Sequence, residues 1–410
     1  MGGLARRKLN WQDAAMIDPE VASGGSLSRR HLLQALCTAA LAGSAAWARA
    51  AGRAPDTGVR QGEILVGQTI TLQGGRNAYG MEVQAGIQAW VHEVNRLGGV
   101  LGRRIVLRTL DDENDSKRAE SNARQLIAEG AFVLFGSIEG GPSTAVMQAA
   151  VDLGVPFIGP MAGSPGLRRP HQELVFPVRA EHREEFRVLI SHARSLGYRR
   201  VALFHADSAV GREHLANVER LATELGMQAT GGAAFKSDIT DEQLRLVATK
   251  FAEARADVVL NHGSAAIYGR LIRQARALEL RTAYWGVNSG SSPLAQSLGD
   301  LAYGMVFTQI VPNPNSGKSA LGREYQALNA KLNPGLPPSY GGMEGFMTAK
   351  ALTLALQSAG PAPTRDTLLA GLRRLEADLG GVPLRWRQGD HVGSSFVDLA
   401  LVGRGGRFIQ

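Results

Sequence analysis

Between residues 63 and 286 the chain repeatedly alternates a short apolar run with a stretch whose apolar residues recur at helical spacing. The first pair sets the pattern. Residues 63–70 read as a strand, and Val83, Ile87, Trp90, Val91, Val94 and Leu97 then fall on one face of a helix closed by Gly98 and Gly99. Strands at 104–110, 132–136 and 156–159 follow, with helices at 116–129 and 143–153 between them. After 175–179 the pattern restarts. Helices at 184–196, 211–225, 241–254 and 265–278 alternate with strands at 201–205, up to Phe235, 257–260 and 282–286. A further strand at 304–311, helices at 320–332 and 344–359, and short strand-like runs from Leu384 complete the chain. Such alternation with short connections dictates parallel sheets covered on both faces, here in two units of similar size. No 20 to 50 residue repeat accompanies it, so the duplication is one of architecture.

In open parallel sheets a ligand sits outside the carboxyl ends of the strands. The run LFGSIEGGPSTAV, from Leu134 to Val146, occupies such a place. Gly136, Gly140 and Gly141 let the backbone turn sharply and approach a ligand, and Pro142 suits the first helical position. Ser143 and Thr144 add hydroxyls beside free N–H groups, where a helix start favours a negative group by about 0.3 to 1 kcal/mol. A phosphate loop would need a lysine that this stretch lacks. Taken alone, the run is equally compatible with a turn that only connects strand to helix. Three more glycine-bearing turns follow strands: GPMAGS at 159–164, NHGS at 261–264 and GVNS at 286–289. Together the four would face one another across a cleft, two from each unit.

The N-terminus carries an address. Arg29 and Arg30 precede an apolar run from Leu32 to Ala46, followed by the small-x-small sites Ala46-Trp47-Ala48 and Ala48-Arg49-Ala50. That order is the order of an export signal, and the run is too short for a membrane span. The SRRHLLQ segment at 28–34 resembles a twin-arginine signal, with Leu32 and Gln34 as departures, and general secretion stays open. Cys37, the only cysteine, lies inside the signal after Leu36, which disfavours a lipid anchor. Cleavage near Ala50 leaves a chain without disulfide, thiol chemistry or thiolate metal site. It also removes six basic and three acidic residues, leaving 39 and 34 and a net charge of +5. The basic residues are scattered, as in Arg103-Arg104 and Arg199-Arg200, without a stripe interleaved with aromatics, which argues against nucleic acid.

The export signal, EILVGQTITLQGGRNAYGMEVQAGIQAWVHEVNRLGGVLGRRIVLRTLDDEND, LFGSIEGGPSTAV, VPFIGPMAGSPGLR and RLIRQARALEL, taken in that order, resemble the leucine-binding-protein-like family of periplasmic receptors that serve ATP-binding cassette (ABC) importers. The likeness runs from about Glu63 to the C-terminus. It implies an α/β fold of two doubly wound parallel-sheet lobes joined by a three-strand hinge, the type I periplasmic binding protein architecture. It also implies a division into signal (1–50), linker (51–61), lobe 1 (62–179 and 310–382) and lobe 2 (180–309 and 383–410). Carried over by position, Tyr79 matches a tyrosine placed over the ligand, although packing on its own helix is the bland alternative. Ile138, Glu139 and Gly140 match the loop that takes a carboxylate, with Gly141 and Ser143 of the same helix start as further ligand-binding candidates, and Met161, Ala162, Gly163 and Ser164 match a second anchoring turn. His182, Ser264 and Asn288 match positions that in amino-acid binders tend to supply an acid, a tyrosine and a second acid. Gly163 stands where a threonine is usual.

These departures shape the functional expectation. A buried ammonium without a paired carboxylate is costly, so an amino acid would need Glu139 or Glu344 as its partner. Arg76, Arg179 and His182 could complement an anion, unless the arginines sit on a solvated rim. The expectation is a monomeric periplasmic receptor for a small organic acid, amide or amino-acid-like solute, working with the membrane permease of an ABC importer. A standard branched-chain amino acid or a sensing role stays open. No cofactor is expected. The chain has no G-x-S-x-G, H-E-x-x-H or C-x-x-C motif, which argues against an enzyme. The acidic run at 111–115 suggests a hard-cation site at first sight, but Asp115 is better placed to cap the next helix.

Overall fold

A computed structural model of the chain describes residues 58–72 and 77–409. The export signal, Cys37, the first part of the linker and Arg76 lie outside the described residues.

The first lobe opens with β1 (Val59–Arg60), β2 (Glu63–Ile70), α1 (Ala78–Arg96), β3 (Arg104–Asp111), α2 (Ser116–Ala128), β4 (Val133–Phe135), α3 (Gly140–Leu153), β5 (Phe157–Ile158) and β6 (Val175–Phe176). Strands β3, β2, β4, β5 and β6 lie side by side and parallel, and β1 turns back antiparallel on β2. The second lobe contains α4 (His182–Ser195), β7 (Arg200–Ala206), α5 (Ala209–Glu224), β8 (Gln228–Phe235), α6 (Asp241–Glu253), β9 (Val258–His262), α7 (Ala265–Ala277), β10 (Ala283–Gly286), α8 (Ser291–Leu298) and β11 (Val306–Gln309). The chain then returns to the first lobe for α9 (Ala320–Leu332), α10 (Tyr340–Ser358) and α11 (Arg365–Leu372). An antiparallel trio follows: β12 (Glu376–Asp378), β13 (Pro383–Arg387) and β14 (Asp390–Gly393). Finally β15 (Asp398–Val402) and β16 (Phe408–Ile409) extend the second sheet, whose order is β8-β7-β9-β10-β11-β15-β16.

Local chemistry explains the boundaries. Asn77, Asp115, Ser208, Thr240, Ser264, Ser319, Ser339 and Thr364 each cap the helix that follows them with a side-chain oxygen. Strands buried on both faces, such as Val133–Phe135, read as continuous apolar runs because helices cover both sides of the sheet. The chain passes between the sheets after Phe176, after Gln309 and after Gly393. The first and third crossings are tied by Ser394 N–H donating to the Val178 carbonyl at 2.9 Å.

Two expectations need correction. The return to the second lobe, placed at 383, comes later: Leu384 and Trp386 are buried in the first lobe's core, and second-sheet pairing begins at Asp398. Helix α3 starts at Gly140, so Pro142 is the third helical residue. Its missing N–H still costs nothing there, because the N–H groups of the first turn have no intrahelical partner.

Candidate functional site

The turns that follow the parallel strands, together with the helix starts they lead into, enclose a cleft of about 840 Å³. From the first lobe it is lined by Asn77, Ala78 and Tyr79 at the start of α1, by Ile138 to Gly141 and Thr144 around the start of α3, and by the turn from Met161 to Ser164. Arg179 and His182 line it at the first crossing. The second lobe adds Ser208 and Val210 at α5, His262 to Ala265 at α7, and Val287, Ser289, Gly290 and Pro293 at α8. The wall is therefore largely made of helix starts, where unpaired N–H groups and the positive ends of helix dipoles gather.

The two first-lobe turns interlock. Met161 N–H donates to the Ser137 carbonyl at 2.7 Å, and Ile138 and Met161 form an isolated parallel bridge. Gly140 is needed for this approach, since a Cβ there would lie 2.7 Å from Ser164 Oγ. Gly163 is needed for another, since its Cβ would meet the His182 ring at 2.6 Å. Arg168, itself buried, holds the second turn from behind by donating to the carbonyls of Ala162, Ser164 and Arg179. Glu139, immediately before α3, adopts φ 64° and ψ 145°, a region that only glycine visits freely. Its carboxylate lies at the exposed edge of the cleft and accepts from Asn77 Nδ2 at 3.0 Å.

Behind the cleft runs a buried ionic network. Arg179 donates to Glu185, to Asn288 Oδ1 at 2.8 Å and to the Ala180 carbonyl at 3.0 Å. Glu185 also accepts from Asn288 N–H at 2.9 Å and from Thr308 Oγ1 at 2.7 Å, and His182 Nδ1 lies 2.9 Å from it. Burial alone would raise the Glu185 carboxyl, but the Arg179 charge, His182 and the Asn288 N–H bring it down to about 2. Burial pulls Arg179 downward while Glu185 opposes that, and the guanidinium keeps its charge. Glu344 has no such support. It accepts from the Tyr79 hydroxyl, its Oε1 lies 3.7 Å from Arg179 Nη1 without a hydrogen bond, and burial holds its carboxyl well above the usual range. One ionised and one neutral carboxyl therefore flank a single guanidinium.

Most of the residues singled out from sequence lie on the cleft wall: Tyr79, Ile138, Glu139, Gly140, Gly141, Met161, Ala162, Gly163, Ser164, Arg179, His182 and Ser264. Three do not. Ser143 is buried and shares a hydrogen bond with Ser137 at 2.7 Å. Asn288 is turned inward onto Arg179, and Glu344 sits behind Tyr79, so the structure offers neither to a ligand. Arg179 reaches the wall: its Nε and Nη2 donors go to the network, while Nη1, 3.7 Å from Glu344 Oε1, makes no hydrogen bond. The reading from sequence missed Asn77, Ala78, Ser208, Val210, His262, Ser289 and Pro293 among others. Ser208 follows the β7 strand in the way the recognised turns follow theirs, and His262 lies within the recognised NHGS turn, so both signals were present. Asp115 caps α2, as its position suggested, by accepting from Arg118 N–H at 2.7 Å.

A cleft between two α/β lobes, closed at its back by crossings of the chain and walled by helix starts, defines a binding protein for a small solute. The Periplasmic binding protein family model matches residues 63–407, and the chain belongs to that family. It is 26% identical over 316 residues to the Leu/Ile/Val-binding protein BraC3 of Rhizobium johnstonii, covering 76% of this chain and 83% of that one. Among solved structures it is similar to an extracellular ligand-binding receptor from Verminephrobacter eiseniae, with a TM-score of 0.77, 22% identity and coverage of 85% of this chain and all of the other. It is also similar to a solute-binding protein of an ABC transporter from R. palustris in complex with benzoate, with a TM-score of 0.71, 18% identity and coverage of 85% and 95%. The protein is thus an extracytoplasmic solute-binding protein of the leucine/isoleucine/valine-binding type, a family of binding proteins and not of enzymes. Among the described residues, no helix is long and apolar enough to cross a membrane.

Proposed function

We propose that this protein is the periplasmic receptor of an ABC importer and that it carries a small organic acid, or an amide or amino-acid-like solute with an acidic end. One observation carries the reading: the charge inventory of the cleft. Starts of α1, α3, α5, α7 and α8 supply lining residues, so partial positive charge is directed inward from both lobes. Among the described lining residues Glu139 is the only carboxylate, and it lies at the edge with Asn77 as its partner. The acids deeper in, Glu185 and Glu344, are engaged with Arg179 and Tyr79. An ammonium group inside the cleft would lack a free counter-charge, which is costly. A carboxylate would find helix N–H groups and the Ser164 hydroxyl. The benzoate complex of the R. palustris protein is consistent with this reading, because benzoate has no amine.

In this account the ligand joins the two lobes, shifts an open and closed equilibrium towards the closed form, and the permease recognises that form. Micromolar affinity, about 8 kcal/mol, serves such a role. A second reading, an amino acid with its ammonium on Glu139, is favoured only by that residue's place at the cleft edge. Both are tested by refolding the signal-free protein to strip bound solute and measuring thermal shifts with carboxylates, amides, amino acids and sugars. A ligand at about 100 times its dissociation constant stabilises by about 2.7 kcal/mol. Carboxylates without an amine should raise the melting temperature; stabilisation by leucine-like amino acids alone would overturn the organic-acid reading.

A further inference from the structure

The second-lobe wall holds a group of imidazoles that the preceding account leaves unused. The rings of His214 and His262 lie 4.0 Å apart between centroids, and that of His182 lies 5.1 Å from His262 and 5.5 Å from His214. Among the described residues no set of His, Cys, Asp or Glu side chains has a metal-binding arrangement, so these rings are read as hydrogen-bonding groups. His214 Nε2 and His262 Nδ1 are both buried without a hydrogen-bond partner. His262 nevertheless lines the cleft, and with Nδ1 shut away its other edge is the one presented to a ligand. Leaving an acceptor bare in the interior is less costly than leaving an N–H bare. That favours the tautomer with hydrogen on Nε2, a donor facing the cleft. Burial and the neighbouring imidazoles hold both His214 and His262 well below the ordinary imidazole range, which fits neutral rings. His182 is oriented in a complementary way: Glu185 is ionised and can only accept, so Nδ1 carries the hydrogen and Nε2 is left over. Ser289 adds an exposed hydroxyl on the same lobe's side of the cleft.

We infer that His262, with His182 beside it, reads a second polar group on the ligand, so that the solute is a hydroxy acid or dicarboxylic acid and not a plain monoacid. The inference rests on the organic-acid reading above: one acidic end sits at the α3 start and Ser164 in the first lobe, and the other polar end meets the imidazoles of the second.

The test is calorimetric titration of the stripped protein with acids matched in carbon skeleton: hexanoate against adipate, and benzoate against the hydroxybenzoates and phthalates. At least one hydroxy or dicarboxylic member should bind tenfold or more tightly than its parent monoacid. His262→Phe should abolish that preference, read as the ratio of the derivative's affinity to its parent's. His262→Gln, which keeps a hydrogen-bonding side chain and guards against a folding defect in the first variant, should retain part of the preference. Equal binding of parent and derivatives, or a preference that survives His262→Phe, overturns the inference and leaves the organic-acid reading standing. If leucine binds and no acid of the panel does, the organic-acid reading falls and takes this inference with it.

Discussion

Replacing Glu185 with glutamine tests the buried network directly. The residue is fully buried and its carboxylate faces Arg179, Asn288 N–H, Thr308 and His182. Its carboxyl sits at about 2 against an ordinary 4.5. A depression of that size corresponds to about 3 kcal/mol of folding stability. Removing one partner of a buried ion pair typically costs about 3 to 5 kcal/mol, so two routes agree on the magnitude. The sign with pH follows. Because the folded value lies below the unfolded one, the contribution is complete above about pH 5 and is lost as pH falls towards 2. Glu344 supplies the internal control. Its carboxyl is raised by burial, so the folded chain holds a proton that the unfolded chain gives up, and its contribution weakens as pH rises above the ordinary carboxylate range. Glu344→Gln, which mimics the neutral acid, should therefore change stability little at pH 4 and raise it at pH 7, where the native residue must hold a proton that the unfolded chain releases. Urea unfolding of both variants at pH 7 and pH 4 would decide. Equal losses, or a larger loss for Glu344→Gln, would refute the assignment of one ionised and one neutral carboxyl.

Three further outcomes are expected. Glu139→Gly should stabilise the ligand-free protein by about 1 kcal/mol in urea unfolding, because relief of a glycine-only backbone conformation exceeds the entropy that glycine adds to the unfolded chain. Gly163→Ala should weaken binding of any acid ligand at least tenfold in titration and cost about 1 to 3 kcal/mol in stability, since the new methyl would lie 2.6 Å from the His182 ring. Tyr79→Phe should cost about 1 to 3 kcal/mol in the same unfolding assay, because Glu344 loses the hydroxyl that satisfies its Oε2.

The alternation of strand and helix was legible because each parallel strand is apolar on both faces and each covering helix has one apolar stripe. The 63–70 strand and the 320–332 helix match the structure end to end. The turns at 159–164, 261–264 and 286–289 were legible by position, as strand ends in a parallel sheet. Side-chain direction was not. Whether Glu344 faces a ligand or Tyr79, and whether Asn288 points out or onto Arg179, depends on how α10 and the β10 turn pack, which no local pattern encodes. The trio at 376–393 was legible only as strand-like runs from Leu384, for another reason. Its inward residues are few, Leu384 and Trp386, and alternate with the exposed Arg385 and Arg387 over strands of three to five residues. Helix α8 is only eight residues long and carries Pro293 in its first turn, too little for a periodic signal.

The central claim is that the cleft selects an acid without needing an amine. The measurement that tests it most directly is calorimetric titration of the stripped protein with leucine and with isocaproate, which has the same carbon skeleton and carboxylate but no ammonium group. The account predicts that isocaproate binds at least as tightly as leucine. Leucine at micromolar affinity with isocaproate a hundredfold weaker, a gap of about 2.7 kcal/mol, would contradict it and place an ammonium partner in the cleft.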